Sequence, residues 1–332
     1  MNNFSNPSSC CEGKLRENIS LAVAYALLAV AGSLGNVLVI YLVYSVRKLR
    51  NTSNAFIVNV CAADLLVCAL WMPQESVLRC QPPGRPASAQ LQTFSRGLLF
   101  LGLLVSLFSH SLIALNRCAL ITKVPAAYRA LYRRRNTAGM IATSWVLATL
   151  LLLPCLILGQ EGQSGGCAWL QLLVLSLSEG CSMRLSAYSS WLTASTILSQ
   201  TAVLLYCYFK IFRKVQVSVK RVSVLNFQII PNLSYPFARK DKRLRVYVSF
   251  VLCAFTLTTE PFLWVSLFGL FEPVPSLLYN VSWLLLSLLF VLSPFLYTHN
   301  NEEFRKSLRS VTGGDFGRGS AGVEPMIRVV SR

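Results

Sequence analysis

Charge is scarce in this 332-residue chain: Asp, Glu, Lys and Arg together make up 13% of it, against about 25% in soluble domains. That deficit, with 54% hydrophobic residues and a mean hydropathy of +0.53, argues against soluble domains and for a polytopic membrane protein. Histidine is scarcer still, with only His110 and His299. There is no Cys-x-x-Cys pair among the 11 cysteines, so no metal centre of the usual nitrogen and sulfur kind is expected. No hydrolase motif appears, so no catalytic residue is assigned and the chain is not expected to be an enzyme or to require a cofactor. Acids are few, 13 against 31 Lys and Arg, and a net charge of +18 raises the question of nucleic acid. The placement of the cations answers it.

What the chain has in quantity is long apolar runs. They cover roughly Leu21–Tyr44, Ala55–Leu78, Gly97–Ile121, Ala138–Leu158, Ser186–Phe212, Val246–Phe271 and Leu277–Tyr297, each near the ~20 residues that span a bilayer as a helix. The expected fold is an all-α membrane protein, a seven-transmembrane helix bundle over 21–298. It is preceded by an extracellular tail (1–20) and followed by a short amphipathic cytoplasmic helix (299–311) and a disordered cytoplasmic tail (312–332). Counting Lys210 at the inner edge of the fifth run, 24 of the 31 Lys and Arg fall after runs one, three and five and in the C-terminal tail. The positive-inside bias then puts the N-terminus outside and the C-terminus in the cytosol of a plasma-membrane protein. Cations placed this way are orientation signals, not a nucleic-acid surface. The first twenty residues are polar, so the first run is expected to act as its own N-out anchor.

Topology sorts the modification sites. The sequons at Asn3 and Asn18 are expected outside and glycosylated, whereas those at Asn232 (cytoplasmic) and Asn280 (at a membrane mouth) are not. Cys10, Cys11, Cys80, Cys167 and Cys181 face the oxidising side, an odd number that leaves the connectivity open.

Polar residues recur inside the runs: Gly35-Asn36 in the first, Asp64 in the second, Ser106 and His110 in the third, and Ser293-Pro294-Phe295-Leu296-Tyr297 in the seventh. Arg117 closes the third run, where a permanent cation either marks function or snorkels to the interface. With Trp145 in the fourth run, Tyr208 in the fifth and Phe255 and Pro261 in the sixth, the ordered set resembles the rhodopsin-like class of G-protein-coupled receptors. The resemblance covers about 280 residues. It implies a receptor that couples a ligand pocket to a heterotrimeric G protein of the inhibitory Gi/o class, which lowers cAMP. Arg117 and Tyr208 would contact the G protein, Tyr297 would belong to the switch, and Pro261 and Pro294 would act as hinges rather than static kinks. Asp241, at the foot of the sixth run, matches the position from which family members pair an acid with the third-helix arginine. At ~4 Å and an effective dielectric near 20 the gross attraction is ~4 kcal/mol, and desolvation leaves much less.

Buried among leucines, Asp64 must be neutralised, and Ser106, Ser293 and Asn36 complete a polar core around it. Either a sodium ion or a protonated carboxyl serves. Several departures from the class pattern matter. Asn116 and Cys118 flank Arg117 in place of the usual acid and tyrosine, so its restraint is expected to be weak and basal activity raised. Thr258 and Thr259 replace the usual Cys-Trp, Gln200 a proline and Ser293 an asparagine. Gln92 stands where the third-helix cysteine normally forms a disulfide, so Cys167–Cys181, or a pairing through Cys80, is the candidate replacement.

At the amine-anchoring position stands Leu99, so no monoamine salt bridge is expected, and span seven has no lysine for a retinal Schiff base. The expected pocket is lined by Leu99, Leu103, Glu260 and Trp264 and suits an apolar small molecule or lipid. Trp169 to Leu175 would form its lid, or plug the pocket outright. Asn301–Ser310 should lie on the membrane, and its basic residues, with those near Tyr132 and Lys220, would meet anionic lipids. Two other classes are weighed: a non-signalling decoy or modulatory dimer partner of other receptors, and a small transporter. The transporter lacks convergent intramembrane acids, since only Asp64 and Glu260 lie fully inside.

Overall fold

The structure is a computed structural model that describes residues 7–80, 89–161, 181–229, 235–298 and 301–312, with the side chains of 7–15, 89–90, 92–93, 155–161, 181–187, 189, 218–229, 235–245 and 311–312 outside the description. All regular structure among these residues is helical: α1 (Pro7–Ser45), α2 (Thr52–Leu66), α3 (Met72–Cys80), α4 (Ala89–Thr122), α5 (Pro125–Leu131), α6 (Arg134–Glu161), α7 (Cys181–Ile229), α8 (Tyr235–Phe268), α9 (Ser276–Thr298) and α10 (Glu302–Thr312). Seven stretches are long and apolar enough to cross a membrane: Arg16–Ser45, Thr52–Cys80, Phe94–Thr122, Arg134–Pro154, Ser190–Val217, Val246–Phe268 and Ser276–Thr298. Each carries a buried stripe and an apolar face left outside. Leu27, Leu34, Leu150 and Leu257 are all more than half exposed, a liability in water and the natural outer face of a bundle in lipid.

Local chemistry sets the breaks. Asn51 caps α2, its side chain accepting the Asn54 N–H at 2.8 Å, and Pro125 opens α5 at the first turn, where its missing N–H is harmless. The second span widens into a π turn at Val67–Trp71, closed by Met72 N–H on the Val67 carbonyl. Pro73 explains it, because its ring has no N–H for the Ala69 carbonyl and the preceding turn must loosen. Helix packing is close enough to require glycine at two places. A Cβ on Gly102 would meet Val67 Cγ2 and lie 3.2 Å from the Ala63 carbonyl, and one on Gly32 would meet Cys68 Sγ.

One expectation is corrected, and two further features are added. Residues 7–20 are not a separate tail but the outer turns of α1, held to α9 where Glu17 Oε1 accepts from Asn280 Nδ2 at 3.2 Å. The segment between spans five and six is largely helix, because α7 runs 49 residues and α8 begins at Tyr235; no Gly or Pro interrupts 213–230, so nothing stops the helix at the membrane edge. Among the described residues Cys80 is an exposed thiol without a disulfide partner. Asn3, Cys167, the 169–175 segment and the tail beyond 312 lie outside the described residues, as do the side chains of Cys181 and Asp241. The amphipathic helix forms as expected, with Phe304 buried and Leu308 packed against the same cluster.

Candidate functional site

Helical periodicity on α4 brings Ser106, His110, Ile113 and Arg117 to one face, three or four residues apart, and that face runs along the bundle axis. Ser106, Ser109 and His110 are all fully buried. His110 Nδ1 is hydrogen-bonded with Tyr297 OH, its Nε2 lies 3.3 Å from Ser293 Oγ, and its ring stands edge-on to Phe255 at 4.9 Å. Ser293 has one hydroxyl proton and donates it to the Leu289 carbonyl at 2.8 Å, so it accepts from His110. That puts the proton of a neutral imidazole on Nε2, with Nδ1 accepting from Tyr297. Sequence reading placed His110 among the polar residues but gave it no role. Its signal is a lone histidine in register with Arg117.

Asp64 is fully buried, and neither carboxylate oxygen has a hydrogen-bond partner. Ser106 and Ser293 are its polar neighbours without reaching hydrogen-bond geometry, and Ser106 Oγ and Asn36 Oδ1 are themselves unpartnered. Asn36 has a structural task as well. Pro294 leaves the Phe290 carbonyl without its helical donor, and Asn36 Nδ2 supplies one at 3.0 Å, tying α1 to the kink in α9. A second polar tie crosses α6, α2 and α4: Trp145 Nε1 donates to Asn59 Oδ1 at 2.8 Å, and Asn59 Nδ2 donates to Ser109 Oγ at 2.7 Å.

At the other end of this face Arg117 is half-buried. Its guanidinium sits 4.7 Å from the Tyr247 ring centre and 5.4 Å from that of Tyr297. Tyr208 lies beside them, and the phenol oxygens of Tyr208 and Tyr247 are buried without a hydrogen-bond partner. The sequence-predicted residues Arg117, Tyr208 and Tyr297 therefore meet, around a fourth, Tyr247, that sequence reading missed. Asn116 turns away from Arg117, donating to Tyr128 OH at 3.2 Å, and Tyr128 OH also bonds Ser53 Oγ at 3.0 Å. The substitution that removed an acid from beside Arg117 thus links α4 to α5 and α2.

The opposite end of the bundle is built from rings. Trp283 packs against Phe262 at 4.4 Å, Tyr279 at 6.2 Å, Trp71 at 6.4 Å and Phe100 at 6.5 Å. Leu99 and Leu103 are buried in the same core. Trp264 stands apart, 55% exposed, and Glu260 Oε1 accepts from Thr201 Oγ1 at 3.2 Å, so the acid has a polar neighbour on α7. Of the four expected pocket residues, only Leu99 and Leu103 lie in the core around the ring cluster. Tyr25 and Arg79 close this end, Arg79 lying 5.5 Å over the Tyr25 ring and 2.8 Å from Glu75.

Residues 35–297 match the family model described as 7 transmembrane receptor (rhodopsin family). The chain is 32% identical over 223 residues to the G-protein coupled receptor moody of Drosophila melanogaster, covering 65% of this chain and 32% of that protein. It is 29% identical over 297 residues to the melatonin receptor type 1B-B of Danio rerio, 86% of this chain and 79% of the relative. It is 25% identical over 303 residues to the mouse melatonin receptor type 1A, 88% of this chain and 80% of the relative. The match to the moody receptors spans about a third of their length.

Proposed function

Because the chain belongs to the rhodopsin family of seven-transmembrane receptors, we propose that it passes a signal from its ring-lined end to a heterotrimeric G protein docking around Arg117. The observation that carries the proposal is the position of Arg117: a cation at the mouth of the bundle, set against the ring faces of Tyr247 and Tyr297 and in no ion pair among the described residues. Such contacts contribute about 0.5–2 kcal/mol each, weak enough for a partner helix to displace them. Movement of α8, which carries Tyr247, would uncover Arg117 and Tyr208 to a helix inserted from below. The ring-lined end faces outside and the Arg117 end the cytosol, in keeping with the clustering of Lys and Arg at the Arg117 end.

The finer reading is coupling to Gi/o, supported by the family resemblance. Asp241 is the proposed acidic partner of Arg117, and an apolar small molecule or lipid the proposed ligand. The polar core fits a sodium ion, which would neutralise Asp64: both carboxylate oxygens, Ser106 Oγ and Asn36 Oδ1 are buried acceptors without partners. Sodium protecting the wild type, but not Asp64→Asn, from thermal unfolding relative to choline supports that assignment; equal protection sinks it.

The deciding experiment is nucleotide exchange on purified Gi/o, Gs and Gq trimers by the receptor in reconstituted membranes. Exchange on Gi/o that disappears in Arg117→Ala at equal receptor density is the expected result. Equal exchange by wild type and Arg117→Ala favours the non-signalling reading. Asp241→Asn is expected to raise basal exchange, and unchanged exchange at equal expression removes the pairing.

A further inference from the structure

α8 presents an acid on the side of the bundle that faces lipid. Phe250, Cys253, Leu257, Glu260 and Trp264 follow one another at spacings of three and four residues, which puts them in one stripe along the helix. Phe250, Leu257 and Trp264 are more than half exposed and Cys253 is exposed as well, so the stripe lies on the outside of the bundle. Glu260, half-buried, sits in it between Leu257 and Trp264. Its depth makes it unusual. Glu260 is three residues, or about 4.5 Å of helix, from Leu257 at the midpoint of the Val246–Phe268 span. An ionisable group at that level ordinarily faces the bundle interior, because hydrocarbon cannot solvate it.

The chain itself does little to satisfy this carboxyl group. Glu260 Oε1 accepts from Thr201 Oγ1 at 3.2 Å, and Glu260 is in no ion pair among the described residues. Acyl chains offer neither donor nor acceptor, so the remaining capacity calls for a partner that brings a polar group to the same depth. A second copy of this chain always does. Two copies inserted in one membrane share an orientation, and their Glu260 residues lie at one level. A neutral carboxyl group has both a donor and an acceptor, so two of them facing across a two-fold axis satisfy each other without a cation. The flanks of Glu260 fit the same arrangement. Spacings of three and four residues form the seam of membrane helices that pair at about 20°, and across a two-fold axis each residue of the stripe meets its own copy.

From this self-complementarity we infer that two copies of the receptor associate through the outer face of α8. The two Glu260 carboxyl groups pair at the centre of the seam, with Trp264 on one side and Leu257 and Cys253 on the side toward Arg117. Lipid alone would leave the carboxyl unmet, and a different membrane protein would need a donor of its own at that depth. Because α8 also carries Tyr247 against Arg117, the seam would restrain the helix whose movement is proposed to uncover Arg117. The pairing itself rests on the membrane spans and their shared orientation, and not on G-protein coupling.

Two measurements on the full chain in membranes test it. Copper-phenanthroline oxidation of membranes holding the receptor is expected to link two copies through Cys253, and Cys253→Ser should greatly weaken the dimer band. Single-molecule photobleaching of labelled receptor in phosphatidylcholine vesicles, over a range of densities, gives the association constant. Glu260→Leu should lower that constant about threefold, the worth of an average hydrogen bond between membrane helices. Glu260→Gln, which keeps a donor and an acceptor, should hold it near wild type. A wild type that stays monomeric, an association constant unchanged in Glu260→Leu, or a dimer band undiminished in Cys253→Ser overturns the inference, as does Cys253 linking only to a different protein. Since the readout is the oligomeric state, a negative result leaves the receptor proposal standing, and absent nucleotide exchange leaves the dimer standing.

Discussion

Both ends of the bundle are rich in aromatic rings, but the rings do different things. At the end opposite Arg117, Trp283 is packed against four neighbours, edge to face or tilted, arrangements that add about 0.5–1.5 kcal/mol per pair beyond area burial. At the Arg117 end Tyr208, Tyr247 and Tyr297 surround a cation, and two of the three phenol oxygens are buried and unpartnered. A buried polar group in that condition costs about 1–3 kcal/mol. At one end the rings pack on one another; at the other the rings themselves carry unmet hydrogen bonds that a displaced helix or an inserted partner can fulfil. Under the proposed function, the contrast separates a structural ring cluster from a switch made of similar residues.

The sharpest way to break the contrast is Trp283→Ala. Losing a ring that joins the π turn of the second span, α4, α8 and α9 should destabilise the receptor by about 3 kcal/mol, read as a large fall in thermal unfolding temperature in detergent. Nucleotide exchange per folded receptor should change little. If exchange rises as stability falls, the outer cluster belongs to the switch after all.

A smaller loss of stability, with the opposite functional signature, is expected at the centre. His110→Leu removes the partner of the buried Tyr297 hydroxyl and the donor to Ser293, costing about 1–3 kcal/mol. Because it frees Tyr297 from α4, basal exchange should rise. His110→Asn, which keeps a donor and an acceptor, should recover part of the restraint. Equal basal exchange in wild type and His110→Leu would show that Tyr297 is held elsewhere.

How much of this was legible in the sequence follows from the range of each signal. Spans are local, about twenty apolar residues each, and all seven were read with ends shifted by several residues. Asp64, Ser106 and Ser293 were grouped by resemblance, and they do converge. What escaped depended on contacts between distant helices. Asn36 serving the Phe290 carbonyl exposed by Pro294 joins residues 254 apart, and no local pattern announces it. The π turn before Pro73 is a compromise between two backbone geometries, invisible to hydropathy. Tyr247 could have been found by noting that it opens the sixth span beside Val246, but its ring gained meaning only once Arg117 lay beneath it.

Tyr247 gives the next prediction, of about 0.5–2 kcal/mol. Tyr247→Phe keeps the ring face over Arg117 and removes a phenol with no hydrogen-bond partner, so basal exchange should stay near wild type. Tyr247→Leu removes the face and should raise it. Identical behaviour of the two variants would mean that Arg117 is not held by the ring.

The smallest effect is expected at Tyr132, beyond the membrane-spanning segments, and its size depends on pH. Tyr132 stacks on Tyr128 at 5.0 Å and stands edge-on to Phe56 at 6.1 Å. Burial first, and then the neighbouring Tyr128, push its phenol up to about 12 from the usual value near 10. A phenol with a raised folded value keeps its proton longer when folded than when unfolded. Its contribution is therefore fully present below pH ~10 and lost as pH rises toward 12. At pH 7 Tyr132→Phe should leave thermal stability almost unchanged, since the ring contacts persist. Above pH 10 the wild type should lose stability faster than Tyr132→Phe, and the two melting curves should draw apart. Parallel pH profiles to pH 11.5 would mean that the Tyr132 hydroxyl is open to solvent, leaving the Tyr128–Tyr132–Phe56 stack as packing alone, the same role the rings have at the opposite end of the bundle.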